Sequence, residues 1–238
     1  TVDIDGGSDS FADGIVLPGV AGASDRLDYV AGSSSNEASL LALRSGAATF
    51  TRVNLANVDN VDFDGAGGAG TDLLQVFGTP GVDSFDVTPT SAIAGRIAVG
   101  SFPAIAYANL GTATSAINLV NEGVPGPGTN LDSVAIRGTA AVDAYVWTAV
   151  SATNGTLGLT TGGVSSLFSL FGFGSTDLDA DAAADTLTTT VTNAIVDQGL
   201  TSGSGTITAT DAGGQGLLPL GFRNVESSTI NGGTVVIN

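Results

Sequence analysis

The chain contains no cysteine, methionine, histidine or lysine among its 238 residues. The absence of cysteine and histidine excludes disulfides, thiolate or imidazole metal ligands and the commonest general base. Nucleophiles activated by histidine or lysine are excluded for the same reason. The composition therefore predicts a protein that is not an enzyme.

Positive charge is also scarce, because 6 arginines stand against 23 acidic residues and give a net charge of −17. Binding to nucleic acid is not expected, since neutralising phosphates requires clustered cations. The longest apolar stretch, residues 163–174, is interrupted by glycine and is too short to span a bilayer. Membrane insertion is not expected either.

The residues that are abundant favour a β fold with many turns. Glycine occupies 35 positions, 42% of the residues are hydrophobic and only 12% are charged. Apolar residues alternate with a period of two, as in residues 73–77 and 133–137, which is typical of short strands. One exception is residues 36–44, where a polar start and a following glycine predict a two-turn helix.

The sequence repeats with a period of about 60 residues. Residues 2–6 (VDIDG) recur as residues 61–65 (VDFDG), and residues 72–83 recur as residues 132–143 with the same Asp, Gly-Thr and Val-Asp spacing. The units are predicted at residues 13–71, 72–131, 132–184 and, in degenerate form, 185–238. Three of them close on a short signature, at residues 57–59, 109–111 and 224–226.

Repeats of this length with short strands predict one β domain over residues 1–238, with a candidate split in the glycine- and proline-rich residues 123–130. A parallel β-helix or β-solenoid is the favoured architecture, because small side chains and strands without adjacent hairpin turns suit it. A Greek-key or jelly-roll β-sandwich is the alternative.

Residues 78–87 and 138–147 resemble the "Gly-Thr-x-x-x-Asp, then alternating apolar" repeats of large bacterial surface and secreted proteins. Many proteins of that family carry calcium-binding nonapeptides of the haemolysin-toxin (RTX) type, and residues 67–75 (GGAGTDLLQ) are similar to one such nonapeptide. The resemblance implies a parallel β-roll or β-helix, secretion, calcium binding and a structural or adhesive role.

Aspartate accounts for 20 of the 23 acidic residues, and several aspartates are clustered. The clusters are Asp3, Asp5, Asp9 and Asp13; Asp62, Asp64 and Asp72; and Asp177, Asp179, Asp181 and Asp185. Calcium prefers six to eight hard oxygens, which carboxylates and glycine-rich turns can supply. These residues are the predicted calcium ligands, and the alternative is that each aspartate accepts hydrogen bonds within its own turn.

Paired carboxylates leave a second hypothesis open, a carbohydrate-binding or polysaccharide-cleaving β-helix adhesin that contacts a cell-surface glycan. Tyr145 and Trp147 are the aromatic residues that such a groove would use. Their place in an alternating strand favours burial in the core instead.

Both ends of the sequence have strand character, which favours association of copies through added strands. Val2, Ile4, Val235 and Ile237 are the residues expected at such contacts. We therefore predict an extracellular structural protein that polymerises into a filament, sheath or surface layer. The start at Thr1 is expected to reflect a removed secretory signal, and excision from a longer adhesin is the alternative.

Overall fold

The computed structural model describes residues 2–7, 13–44, 47–111, 115–122, 132–199, 201–232 and 234–237. These ranges contain strands and turns but no helix, which confirms the predicted all-β class. The strands are β1 (Val2–Asp5), β2 (Gly14–Pro18), β3 (Asp25–Ala31), β4 (Glu37–Arg44), β5 (Ala47–Ala56), β6 (Asn60–Asp64), β7 (Leu73–Phe77), β8 (Ser84–Ser91), β9 (Ala94–Val99), β10 (Ala104–Ala108), β11 (Ser115–Val120), β12 (Ser133–Arg137), β13 (Asp143–Ala149), β14 (Asn154–Thr161), β15 (Val164–Phe171), β16 (Ser175–Asp179), β17 (Thr186–Thr190), β18 (Asn193–Gln198), β19 (Gly205–Thr210), β20 (Leu220–Arg223), β21 (Ser227–Asn231) and β22 (Thr234–Ile237). In the part of the chain that the structure describes, no helix is long and apolar enough to cross a membrane.

The strands form two sheets of 11 strands each. The order in sheet A is β1-β5-β4-β3-β7-β11-β15-β14-β13-β17-β21, and the order in sheet B is β2-β6-β10-β9-β8-β12-β16-β20-β19-β18-β22. Both sheets are mixed rather than purely parallel. Only β4 and β14 in sheet A, and β9 and β19 in sheet B, run against the direction of their neighbours.

The strand order follows a five-strand unit. Two single strands in opposite sheets are followed by three consecutive antiparallel strands in one sheet, and the next unit starts in the other sheet. The three-strand segments β3–β5, β8–β10, β13–β15 and β18–β20 therefore alternate between sheets A and B. Because of this alternation, the two sheets contain equal numbers of strands.

The aspartates that open the sequence repeats occupy one position in this pattern. Asp13, Asp72, Asp132 and Asp185 each directly precede the second strand of a five-strand unit. Residues 123–131 lie outside the described ranges, so the candidate split there has no structural counterpart to report. The strands on either side of it, β11 and β12, pair with neighbours from both halves of the chain.

A single hydrophobic core contains the inward-facing residues of both sheets. In β7 the buried residues are Leu74 and Val76, while the residues between them face outward, as their alternation predicts. Phe85 of sheet B makes an edge-to-face contact with Phe173, with ring centroids 5.1 Å apart. Burial of these alternating side chains holds the sheets together.

The helix predicted over residues 36–44 is wrong, because Glu37–Arg44 is strand β4. Asn36 takes a left-handed conformation, with a φ of 69°, and ends the turn that leads from β3 into β4. In β4 the side chains of Ala38 and Leu40 are buried. Pairing with β3 and β5 satisfies the backbone on both sides, so sheet pairing overrides the helix propensity of these residues.

Tyr145 and Trp147 are both buried in the core on β13, as the favoured interpretation predicted. Trp147 packs over Gly155 of the neighbouring strand β14, where a Cβ atom would lie 2.6 Å from the indole ring. The indole therefore occupies the space that a side chain at residue 155 would need. Neither aromatic residue is available to line an open sugar groove.

Candidate functional site

Four strands have one edge with no strand beside it among the described residues. These are β1 and β21 at opposite ends of sheet A, and β2 and β22 at opposite ends of sheet B. Each end of the described part of the structure thus presents one open edge from each sheet. Open edges carry unpaired backbone N–H and C=O groups and are natural positions for strand addition.

At the first end, β1 and β2 present inward-facing apolar side chains that no further strand covers. Val2 and Ile4 lie opposite Val53 and Leu55 of β5, on the face of sheet A that carries the core. Val2 is nevertheless 47% exposed and Ile4 37% exposed. The core is therefore open to solvent at this end.

At the second end, β21 and β22 also carry inward-facing apolar side chains that no further strand covers. Val235 and Ile237 lie opposite Ala194 and Val196 of β18, which are both buried. With Ile230 of β21, these two residues line an open depression of about 620 Å³. The structure thus brings the four residues predicted for self-association to the two ends of the core.

Three apolar side chains on the outer face of sheet B are unusually exposed and lie at or beside its two edges. Val16 on β2 is 64% exposed, and Val236 on β22 and Ile195 on β18 are each 46% exposed. Ile195 and Val236 are cross-strand neighbours. Sequence reasoning missed this outer pair, because a single valine on a short strand does not show which face it lies on.

The aspartates predicted as calcium ligands are engaged in the hydrogen bonding of strand corners. Asp72 of the RTX-like segment is buried, and its carboxylate accepts the N–H of Asp25 at 2.9 Å and the N–H of Gly111 at 2.7 Å. Asp13 donates its N–H to the carboxylate of Asp59 at 3.0 Å. These contacts link each turn to the turn of the next parallel strand.

The repeated Gly-Thr-x-x-x-Asp segments form the same corner twice. In one copy Asp83 accepts the N–H of Thr79 at 2.6 Å, and in the other Asp143 accepts the N–H of Thr139 at 2.8 Å. The threonine hydroxyl also donates to the carboxylate in both copies, at 3.1 Å and 3.0 Å. Gly78 is required for this contact, because a Cβ there would lie 2.6 Å from the Asp83 carboxylate.

A second kind of corner joins each closing signature to the end of the first strand of the same five-strand unit. The side chains of Asn57, Asn109 and Asn224 donate to Asp5, Asp64 and Asp179 at 2.9, 3.0 and 2.7 Å. All three asparagines have a left-handed backbone, with φ values of 53°, 51° and 59°, which asparagine tolerates better than most residues. The closing signatures are therefore structural corners.

Hydrogen bonding at these exposed corners favours the charged carboxylate. The bond from Asn57, helped by the N–H of Gly7, holds the pKa of Asp5 below its usual value. Partial burial of Asp179 opposes ionisation, but hydrogen bonds from Arg223 and Asn224 outweigh it and lower the pKa. These carboxylates are ionised acceptors at neutral pH.

Asp185 differs from the other corner aspartates. It is fully buried, and its Oδ1 accepts the N–H of Asp143 at 2.7 Å, while Oδ2 has no hydrogen-bond partner. Burial raises its pKa, and the negative charges of Asp143, Glu226 and Asp181 raise it further. Ionisation of Asp185 is therefore less favourable in the folded protein than in water.

The remaining predicted ligands do not converge. Asp3 accepts the side chain of Asn54 at 2.8 Å, Asp62 and Asp177 lie on outward positions of β6 and β16, and Asp181 follows β16 in a turn. Asp9 lies outside the described residues. Among the described side chains, no group of three or more acidic residues is arranged to hold a metal ion. Calcium binding stays a prediction from sequence.

No family model, curated protein or solved structure matches this chain. The resemblance to bacterial surface proteins with RTX-type nonapeptides therefore stays a sequence-based prediction.

Proposed function

We propose that this chain is an extracellular structural subunit that associates with copies of itself, through the open edge strands, into a filament, sheath or surface layer. The observation that carries the proposal is that both sheets end together at each end of the molecule, with apolar core residues exposed beside the open edges. A neighbouring copy at either end would cover those residues and pair those edges.

The finer part of the proposal is that the two sheets are the walls of a flattened β-solenoid. The single strands pass from one sheet to the other and pair in parallel with the strands one circuit away, as β2 pairs with β6 and β3 with β7. In a solenoid each circuit contacts only its neighbours, so growth at either end reuses the contacts found inside.

The energetics favour such growth. Pairing an open edge supplies backbone hydrogen bonds that demand little of the side chains. Covering a valine, leucine or isoleucine completely contributes about 1.5–3 kcal/mol each, relative to leaving it exposed. Val2 and Ile4 at one end and Val235 and Ile237 at the other are partly exposed candidates for this gain.

The extracellular location rests on the resemblance of residues 78–87 and 138–147 to repeats of secreted surface proteins. A net charge of −17 suits a surface protein that must stay dispersed before it assembles. Protease treatment of intact cells that express the full-length gene tests this location. Loss of the protein from intact cells is expected, and full protection would contradict it.

Light scattering coupled to size exclusion, followed by electron microscopy, tests the assembly itself. The purified chain is expected to form linear oligomers that grow with concentration. Ile4→Lys and Ile237→Lys place a charge on an open end of the core and should abolish growth while leaving the far-UV circular dichroism spectrum unchanged.

Val142→Lys is the matched control, because Val142 is also an exposed β-branched apolar residue but lies in the turn before β13, away from the four edge strands. It is expected to assemble like the parent chain. A parent chain that stays monomeric at high concentration, with its β spectrum intact, would refute the proposal.

A further inference from the structure

We infer that the contact between copies is head-to-tail and parallel, with β1 of one copy added beside β21 of the next and β2 added beside β22. This inference rests on the proposed self-association and specifies its polarity and register. The partner is a second copy of this chain.

Strand direction permits this arrangement without any rotation of the second copy. Within sheet A, β1 and β21 run the same way, because the two reversals inside each three-strand segment cancel. In sheet B, β2 and β22 run the same way for the same reason. A simple translation along the stacking direction therefore makes both new pairings parallel, like the pairings already present at each edge.

The sequence of the two ends also matches in phase. Residues 229–232 (TING) repeat the pattern of residues 3–6 (DIDG), so β21 occupies the place of a first strand, as β1 does. The chain passes from sheet A to sheet B after both strands. Added in register, a second copy would continue both sheets together and leave neither short of a strand.

This register brings the exposed apolar residues of the outer face into one row. In five of the six parallel pairs of sheet B the first residues of the strands are aligned, as for Gly14 with Asn60 and for Asn193 with Thr234; the exception is β16 with β20, where Leu220 pairs with Thr176. Extending that rule across the contact places Val16 of one copy beside Val236 of the next, which already neighbours Ile195. Cross-strand apolar pairs of this kind stabilise sheets.

Charge favours the same polarity. The outer face of β1 carries Asp3 and Asp5, so joining two copies head-to-head would place these carboxylates opposite their own kind. The corresponding positions of β21 are the neutral residues Thr229 and Asn231. Asn54 already donates to Asp3 across β5 and β1 at 2.8 Å, and Asn231 would face Asp5 of the next copy in the same way.

Cysteine cross-linking tests the register directly, because the native chain has no cysteine. Neighbouring strands lie about 4.8 Å apart, which is within the range that a disulfide spans between Cα atoms. A mixture of Val16→Cys and Val236→Cys is expected to give covalent dimers on oxidation, whereas each variant alone should not. The double variant should give a ladder of covalent oligomers.

A second pair, Asp5→Cys with Asn231→Cys, tests sheet A independently if one of the valine variants does not fold. Val82→Cys with Val236→Cys is the control, since Val82 is exposed in a turn away from every edge strand. Dimers from a single variant alone, or cross-linking no better than the control in a sample that does assemble, would overturn the inferred polarity and leave self-association intact. Absence of any assembly by light scattering would overturn both.

Discussion

The corner aspartates should contribute measurably to the stability of the fold, and Asp143 provides the sharpest test. Its buried carboxylate accepts the N–H and hydroxyl of Thr139 and the hydroxyl of Tyr145, at 2.8, 3.0 and 3.0 Å. In Asp143→Ala the N–H of Thr139 loses its acceptor, and the two hydroxyls lose a charged partner. We expect the free energy of unfolding to fall by about 2–5 kcal/mol, because each buried donor left without a partner costs about 1–3 kcal/mol.

For a chain of this size that loss corresponds to a melting temperature lower by about 4–20 °C. The loss of unfolding free energy is measured by urea titration with the fluorescence of Trp147 as the signal. Trp147 is the one tryptophan of the chain, and it is buried two residues from Tyr145. Asp143→Asn should lose less than about 1 kcal/mol, because its amide oxygen can accept both bonds to Oδ2 and its amide can donate to the threonine hydroxyl. Asp86→Ala is the control, since its exposed ion pair with Arg137 is expected to contribute about 0–1 kcal/mol. Equal losses in Asp143→Ala and Asp86→Ala would refute the structural role of the corner.

Three further perturbations follow from the structure. Asp185→Asn should stabilise the protein near neutral pH. Because the folded pKa of Asp185 is raised, its contribution to the free energy of unfolding is fully present below the unfolded pKa and is lost as the pH rises through the folded pKa. The urea midpoints of the parent and the variant should therefore converge at acidic pH and diverge above it. A parent as stable as the variant at every pH would contradict this. Gly155→Ala should cost about 1–3 kcal/mol by overpacking against Trp147. Gly158→Ala on the same strand should leave the stability nearly unchanged, since a Cβ there meets nothing closer than 3.7 Å. Thermal melts of the two variants measure the difference. Calorimetric melting in EDTA and in calcium chloride tests the predicted calcium sites, because a ligand bound only by the folded state must raise its stability. Because the carboxylates of Asp5, Asp64 and Asp179 already accept asparagine amides, hydrogen-bonded corners alone should give melting temperatures that agree within about 1 °C. A clear rise with calcium would support the calcium prediction.

The all-β class was predictable because burial on one face of a strand imposes a period of two, as in β7 and β12. The three-strand antiparallel segments were not predictable, since buried and exposed residues alternate along the middle strand of a segment in the same way as along a strand paired in parallel. Residues 37–44 illustrate the problem, because their helix-favouring composition is overridden by pairing with β3 and β5. Strand direction is decided by the turns and by distant partners, which local sequence does not encode.

The candidate site was only partly predictable for a related reason. The apolar character of residues 2, 4, 235 and 237 is visible in the sequence, and the structure adds that all four point toward an uncovered core. The aspartates were grouped by their proximity in sequence, whereas their hydrogen-bond partners lie beside neighbouring parallel strands and are distant in sequence. Asp5 and Asn57, for example, are 52 positions apart. Spacing within a cluster carries no information about such partners.

Alternation of the three-strand segments between the sheets has a consequence for how proteins of this design can change in length. Removing β6 through β15 takes five strands from each sheet, leaves β3 to pair with β17 and β2 with β16, and alters neither end. Removing a single unit such as β6–β10 would instead take four strands from sheet B and one from sheet A, so the two sheets would no longer match in length. Evolution or protein engineering can therefore shorten or lengthen the two sheets in steps of ten strands while the strands at both ends stay the same.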